Sequence, residues 1–152
     1  MRKIKILFVC HGNICRSPMA EFVMRDLVNK AGLGNQFHIE SAATSREEIG
    51  NPVYPPAKKM LALHGIRCDG HAARQITKKD YHEFDYIIGM EQYNVRNMMR
   101  ILGSDPDCKI RLLRDFTNSP GDIADPWYSG DFETTYQQVL EGCEGLLCYI
   151  EK

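Results

Sequence analysis

The residues whose types and spacing could carry out a reaction lie near the start of the chain, in the segment Val9-Cys10-His11-Gly12-Asn13-Ile14-Cys15-Arg16-Ser17-Pro18. Five residues separate Cys10 from Arg16, and this spacing lets the chain curl so that successive backbone N–H groups point at one anion. These dipoles and the guanidinium favour the thiolate, and the planar guanidinium can hold two phosphate oxygens. The predicted chemistry is attack by the Cys10 sulfur on phosphorus. The alternative is a strand-to-helix turn that carries a buried cysteine.

The elements on either side of this segment are those that a phosphate site needs. The apolar run over residues 4–9 predicts a buried central strand. Ser17 is predicted to be the N-cap of the next helix and Pro18 its first residue, and Gly32 is predicted to stop that helix. The sequence therefore predicts a strand, a phosphate loop (residues 10–17) and a helix.

The rest of the chain alternates predicted strands and helices. Strands are predicted over residues 37–42, 86–90 and 110–113, and helices over about 57–64, from Thr77 onward, and over 93–102 and 132–150. This alternation predicts an α/β fold, a three-layer sandwich whose four-stranded parallel sheet has helices on both faces. We expect a single domain over residues 1–152.

The predicted strand ends define where the reaction would take place. Cys10 ends the first strand, a loop over residues 44–56 follows the second, Glu91 follows the third, and a loop over residues 115–131 follows the fourth. Ligands of parallel sheets bind beyond the carboxyl ends of the strands. Asp125 in the last loop is the best candidate for an acid that protonates the leaving oxygen, with Asp115 and Asp122 as alternatives.

The string Cys-x-Gly-Asn-x-Cys-Arg-Ser-Pro, which begins at Cys10, resembles the signature of the low-molecular-weight protein tyrosine phosphatases. Asp125-Pro126 followed by aromatic residues resembles the segment that carries the general acid of that family. The resemblance covers residues 4–149. It implies hydrolysis of phosphotyrosine through a phosphocysteine, with Cys10 as nucleophile, Arg16 holding the phosphoryl oxygens, and Asp125 acting first as acid and then as base.

The same resemblance implies a set of supporting residues. Ser17 should donate a hydrogen bond to the Cys10 thiolate, and Asn13 should adopt a left-handed conformation. His71 should order both of them, and Glu91 stands where an aspartate is usual. The remaining expected phosphate-loop and pocket residues are His11, Gly12, Ile14, Cys15, Glu47, Trp127 and Tyr128. Of these, His11 departs from the usual small or apolar residue, and two acids near the mouth, Glu47 and Glu48, should disfavour acidic phosphopeptides.

The six cysteines fall into two groups. Cys68, Cys108, Cys143 and Cys148 are predicted to be structural. Cys15 either fills space beneath the loop or closes a disulfide with Cys10 after peroxide has formed a sulfenic acid there, and we hypothesise the second role.

Composition bounds the remaining possibilities. The chain is 43% hydrophobic and 26% charged with a net charge of −1, which is typical of a soluble globular protein and does not favour nucleic acid or an anionic membrane as partner. No signal-like or membrane-spanning run is evident in the sequence, so a cytoplasmic protein is expected. The reaction should need no metal or organic cofactor. The implied partners are phosphotyrosine-containing proteins, with a tyrosine kinase as one candidate.

Three other functions compete with this one. Relatives that remove phosphate from arginine tend to carry threonine immediately before the second cysteine, where this chain has Ile14. Arsenate reductases need a further cysteine pair after the third strand, and residues 89–98 contain no cysteine. A non-catalytic phosphate-binding module would need neither a nucleophile nor a distant acid.

Overall fold

Four parallel strands form the sheet of the computed structural model, which describes residues 2–152. They are β1 (Ile4–Cys10), β2 (Phe37–Ala43), β3 (Tyr86–Gly89) and β4 (Ile110–Leu112). Their order is β2-β1-β3-β4, and every neighbouring pair is parallel. The predicted four-stranded parallel sheet is confirmed.

Helices cover both faces of this sheet. They are α1 (Arg16–Lys30), α2 (Pro55–Leu63), α3 (Lys78–Glu83), α4 (Gln92–Leu102), α5 (Pro126–Ser129) and α6 (Phe132–Glu151). Side chains of α1, α2 and α6 join the core on one face, and side chains of α3 and α4 join the core on the other. The three-layer α/β sandwich predicted from the sequence is therefore confirmed.

Strand β1 lies in the centre because both of its faces are apolar. Ile6 and Phe8 point into the core beneath α1 and α6, and Leu7 and Val9 point into the core beneath α3 and α4. All four side chains are fully buried. A strand covered on both faces needs such a continuous apolar run, and its carboxyl end then lies in the middle of the sheet edge.

Helix α1 begins two residues earlier than the sequence predicts, at Arg16 and not at Pro18. Its N-cap is Cys15, whose side chain makes no capping hydrogen bond. The prediction that Ser17 caps this helix was wrong, because the Ser17 hydroxyl is drawn into the phosphate loop by Cys10. By contrast, α3 begins close to the predicted position, where Thr77 and Asp80 form a capping box.

The six cysteines of the described chain are all free. Cys143 lies fully buried on the apolar stripe of α6, where its thiol donates to the backbone oxygen of Ala20 at 3.7 Å. Cys148 and Cys108 are exposed. Within residues 2–152, no helix combines the length and the apolar character that a membrane span requires.

Candidate active site

The phosphate loop sits at the carboxyl end of β1, between the segments that follow β2 and β3. The backbone N–H groups of Thr44 and Ser45 each donate at 3.0 Å to the carbonyl oxygens of Cys10 and His11. The Tyr54 N–H donates to the carbonyl oxygen of Ile14 at 2.8 Å. The segment after β2 thus fixes the loop along most of its length.

The Cys10 thiol faces hydrogen-bond donors in a nearly closed environment. The residue is 3% exposed, and its Sγ lies 3.0 Å from Ser17 Oγ. The backbone N–H of Asn13 donates to the same sulfur at 3.3 Å. Donors aimed at sulfur, together with the N-terminus of α1, stabilise a thiolate.

Asn13 links the loop to the rest of the site. Its φ is 61°, so the predicted left-handed conformation is confirmed. Its Nδ2 donates to Ser17 Oγ at 2.8 Å, and its Oδ1 accepts from the backbone N–H of Arg74 at 3.2 Å. His71 Nε2 donates to the Asn13 carbonyl oxygen at 2.8 Å. One buried side chain therefore orients Ser17 and holds the loop against residues 71–74.

Arg16 is a buried guanidinium between two carboxylates. It is 2% exposed, and its Nη1 donates to the Glu91 carboxylate and, at 2.9 Å, to the carbonyl oxygen of Ile123. Its Nη2 lies 3.4 Å from Asp125 Oδ2. Burial alone would lower the pKa of Arg16, but the negative charges of Cys10, Asp125 and Glu91 outweigh it and raise that pKa. The group is therefore charged, and Glu91 fixes its orientation.

The three aspartates that compete for the role of general acid lie in different environments. Asp115 Oδ2 accepts from the Leu112 N–H at 3.0 Å and so belongs to the turn after β4. Asp122 Oδ1 accepts from the Gln92 N–H at 3.0 Å, at the start of α4. Asp125, by contrast, points towards the phosphate loop, 3.4 Å from Arg16. The geometry thus favours Asp125.

Two further contacts fix the backbone of the acid loop, residues 117–125. The Ile123 N–H donates to the carbonyl oxygen of Met90 at 2.8 Å, and the Ile123 side chain is fully buried. Asp125 is the N-cap of α5, and its Oδ1 accepts from the Trp127 N–H at 3.1 Å. A proline at the first helical position holds the next turn in place. The carboxyl group is thus held where it can reach over the loop.

A reaction cleft of about 210 Å³ opens above the phosphate loop. It is lined by Cys10, His11, Gly12, Ile14, Cys15, Arg16, Glu47, Glu48, Asp125, Trp127 and Tyr128. His11 Nε2 lies 3.0 Å from Glu47 Oε2 at the mouth. The structure therefore brings the three residues predicted for the substrate pocket to the same cleft as the predicted nucleophile and acid.

The family model described as low molecular weight phosphotyrosine protein phosphatase matches residues 5–152. The chain belongs to this family.

Individual members of the low molecular weight phosphatase family agree with that assignment. The low molecular weight protein-tyrosine-phosphatase YfkJ of Bacillus subtilis is 41% identical over 151 residues, covering 98% of this chain and 97% of its own. The human low molecular weight phosphotyrosine protein phosphatase is 42% identical over 147 residues, covering 93% of this chain and 92% of its own. The sequence resemblance to these hydrolases is confirmed.

Solved structures of the family have the same fold. The crystal structure of YfkJ matches with a TM-score of 0.96 at 40% identity, covering 99% of this chain and 96% of that one. The crystal structure of DARP, a Drosophila arginine phosphatase, matches with a TM-score of 0.87 at 34% identity, covering 98% and 99%. The fold is thus shared by phosphatases named for tyrosine and for arginine.

Two residues near the site of this low molecular weight phosphatase were not predicted from the sequence. Tyr54 packs against Trp127, a residue of the cleft wall, with ring centroids 4.7 Å apart. Arg74 contacts Asn13 through its backbone and pairs with Asp80 through its side chain. The aromatic residue type of Tyr54, in the loop after β2, was a weak indication of its role. The contact of Arg74 is made by its backbone, so its residue type could not indicate it.

Cys15 belongs to the phosphate loop, is buried, and packs with Ile14 and Ala73. Burial, and then the negative charges of Cys10 and Asp125, raise the pKa of its thiol to about 12. Cys15 is therefore a neutral thiol at physiological pH. Within residues 2–152, no group of three or more potential metal-ligating side chains is arranged to hold a metal ion.

Proposed function

We propose that this protein hydrolyses phosphotyrosine in proteins, with Cys10 as nucleophile, Arg16 as the group that holds the phosphoryl oxygens and Asp125 as general acid. The observation that carries the proposal is the convergence of these groups on one cleft. Asp125 lies 3.4 Å from Arg16, and the Cys10 sulfur faces Ser17 and the Asn13 N–H. Family membership supports the same reaction class.

In the first step the Cys10 thiolate attacks phosphorus and the bond between phosphorus and the tyrosine oxygen breaks. Asp125 gives its proton to that oxygen, so tyrosine leaves as a neutral phenol. The backbone N–H groups of the loop and the Arg16 guanidinium hold the phosphoryl oxygens throughout. The product of this step is a phosphocysteine at Cys10.

In the second step the Asp125 carboxylate takes a proton from water while the water oxygen attacks phosphorus. The sulfur–phosphorus bond breaks, and Cys10 leaves as a thiolate with inorganic phosphate as the product. The Ser17 hydroxyl stabilises that leaving thiolate. Each side chain returns to its starting protonation state, so the cycle needs no further reactant.

Glu91 and Asn13 act as positioning residues. Glu91 and the Ile123 carbonyl oxygen hold one terminal nitrogen of Arg16, Nη1, so that the other, Nη2, lies on the side of Asp125. Asn13 Nδ2 donates a hydrogen bond to the Ser17 hydroxyl oxygen, so that the Ser17 proton can be directed at sulfur. His71 supports Asn13 from outside the loop.

Removal of phosphate from arginine is the second candidate, because the arginine phosphatase DARP has the same fold. Ile14 favours tyrosine, since the arginine-specific relatives are expected to carry threonine there. The test is hydrolysis of phosphotyrosine and phosphoarginine peptides side by side, with the native chain and with Cys10→Ser. Preference for phosphotyrosine that the substitution abolishes supports the proposal, and activity on phosphoarginine alone would overturn the specificity.

We further propose that Cys15 protects the nucleophile. Peroxide oxidises the Cys10 thiolate to a sulfenic acid, and Cys15 then displaces hydroxide from that sulfur to give a disulfide and water. A cytoplasmic location is part of the proposal, because a reducing compartment would reopen the bond. A tyrosine kinase that is itself phosphorylated on tyrosine is one proposed substrate.

A further inference from the structure

A second cavity, of about 830 Å³, opens beside the reaction cleft. The two share a wall made of His11, Arg16, Glu47, Asp125 and Tyr128. The larger cavity extends from this wall across the start of α4 to the acid loop. We refer to it as the acidic groove, for the reason given next.

Carboxylates dominate the charge of the acidic groove. Its lining contains Glu47, Glu91, Asp122 and Asp125. The one permanent positive charge of the lining, that of Arg16, faces two of these carboxyl groups, Glu91 and Asp125, and the His11 ring nitrogen lies 3.0 Å from Glu47. Asp122 is exposed, and its carboxylate accepts from the Gln92 N–H through one oxygen, Oδ1. The groove therefore presents negative charge to solvent.

Aromatic side chains also line the groove. Tyr93 is 49% exposed and Tyr128 is 86% exposed, both well above what a packed aromatic residue shows. The Tyr93 ring lies 6.2 Å from the His11 ring, on the side of the groove nearest the phosphate loop. Ammonium and guanidinium groups bind favourably over such rings and beside carboxylates, so the lining is complementary to a basic side chain.

The substrate must pass close to this groove. A phosphotyrosine whose phosphoryl group occupies the phosphate loop has its ring in the reaction cleft, and the polypeptide on either side of it must leave across the rim. His11, Glu47 and Tyr128 form the rim shared with the groove. The residues next to the phosphotyrosine therefore lie within reach of the acidic lining.

We propose that the acidic groove binds a lysine or arginine close to the phosphotyrosine in the substrate protein, and so selects basic phosphopeptides. This inference rests on the proposed phosphotyrosine hydrolysis. It goes beyond it by naming the substrate class and the residues that select it. The selecting residues are Glu47, Tyr93 and Asp122.

The test compares kcat/KM for three phosphotyrosine peptides that differ only near the phosphotyrosine, with lysine, glutamine or glutamate at the neighbouring positions. A small aryl phosphate, which cannot reach the groove, reports the chemical step. We expect the lysine peptide to exceed the glutamine peptide by about three- to tenfold. The glutamate peptide should be the poorest, and the differences should shrink at high salt.

Variants assign the effect to the groove. Asp122→Asn keeps an acceptor for the Gln92 N–H but removes the charge, and Glu47→Gln does the same beside His11. Each variant should lower the ratio of kcat/KM for the lysine peptide to kcat/KM for the glutamate peptide, and Asp122→Lys should invert that ratio. Because the ratio is measured on one enzyme, a change in the chemical step cancels. Glu144→Gln is the matched control, since this exposed residue of α6 lines neither cavity.

The outcomes separate the two proposals. Equal kcat/KM for the three peptides, or a preference for the glutamate peptide, overturns the groove proposal and leaves phosphotyrosine hydrolysis standing. A basic preference that is unchanged in Asp122→Asn and Glu47→Gln overturns the assignment to this groove. Failure to hydrolyse any of the peptides and the aryl phosphate overturns the proposed function itself.

Discussion

The Oγ of Ser17 lies 3.0 Å from the Sγ of Cys10, and both residues are buried. Because Asn13 Nδ2 already donates to this hydroxyl, its single proton is left for sulfur or for the Ala42 carbonyl oxygen at 3.4 Å. The shorter contact, and the charge on a thiolate, favour sulfur. The sulfur loses its negative charge in the phosphocysteine and regains it as that intermediate is hydrolysed, so the hydroxyl should assist the second step most.

Ser17→Ala should slow hydrolysis of the phosphocysteine by about 10- to 100-fold, which is the cost of a lost hydrogen bond to a charged group. Formation of the intermediate should slow less. The measurement is rapid mixing with an aryl phosphate, in which the variant should show a burst of released phenol followed by slow turnover. Ser41→Ala is the control, because it removes another buried hydroxyl, hydrogen-bonded to Glu21 at 2.6 Å. A burst in both variants would argue against a special role for Ser17.

Asp125→Asn should reduce kcat/KM, which reports the steps up to release of the leaving group, by about 10²–10⁴-fold for alkyl and unactivated aryl phosphates, because these leaving groups need a proton. The loss should be much smaller for phosphates with a good leaving group. Asparagine keeps an acceptor for the Trp127 N–H, so the turn that starts α5 should be retained. Equal losses across a series of leaving groups would show that Asp125 is not the acid.

Recovery of activity after peroxide should depend on Cys15 and on pH. Burial raises the pKa of the Cys15 thiol, so only a small fraction is thiolate at neutral pH. Below that pKa, disulfide closure should become about tenfold faster per pH unit. Oxidation of Cys10 also removes one of the charges that raise the pKa, but burial, the largest cause, remains.

The experiment is treatment with peroxide followed by dithiothreitol at several pH values. The native chain should regain activity and Cys15→Ala should not, and the recovered fraction should rise with the pH of the peroxide step. Cys68→Ala is a suitable control, since this residue is also buried but lies away from the phosphate loop. Full recovery in Cys15→Ala would contradict the protective role.

The protein should lose stability at alkaline pH partly through Cys143. Complete burial raises the pKa of this thiol, so the folded chain keeps the proton that the unfolded chain releases above about pH 9. Stability is therefore unaffected below that pH and falls as the pH rises further. Thermal unfolding between about pH 7 and pH 11 should show a shallower alkaline decline in Cys143→Ala than in the native chain. Cys148→Ala should leave the decline unchanged, because Cys148 is exposed.

The parts of the site that could be predicted from the sequence are those determined by local spacing or by strand order. Cys10 and Arg16 lie in one loop, so their separation along the chain sets their separation in space. Asp125 is distant in sequence, but parallel strands end at one edge and bring it there. The family resemblance implied the left-handed conformation of Asn13, which asparagine tolerates better than most residues.

Other features depend on which of several partners a side chain contacts after folding. Ser17 has the residue type of an N-cap, but competition from the Cys10 sulfur and Asn13 decides its place. The packing of Tyr54 on Trp127 joins two loops whose approach depends on the whole fold. The residue type limits the contacts that such a side chain can make, and the tertiary fold determines which of them it makes.

Because β1 lies in the middle of the sheet, substitutions that affect the reaction and substitutions that affect substrate selection fall in different parts of this protein. The reacting sulfur and the loop that binds the phosphoryl group are continuous with β1 and α1, whose side chains form the core of the molecule. The acidic groove takes its lining mainly from segments that join later elements, and its selecting residues Glu47, Tyr93 and Asp122 are exposed. Substitutions at these three residues can alter which proteins are dephosphorylated without disturbing the core, so descendants of this chain could acquire new targets while the reaction stays the same.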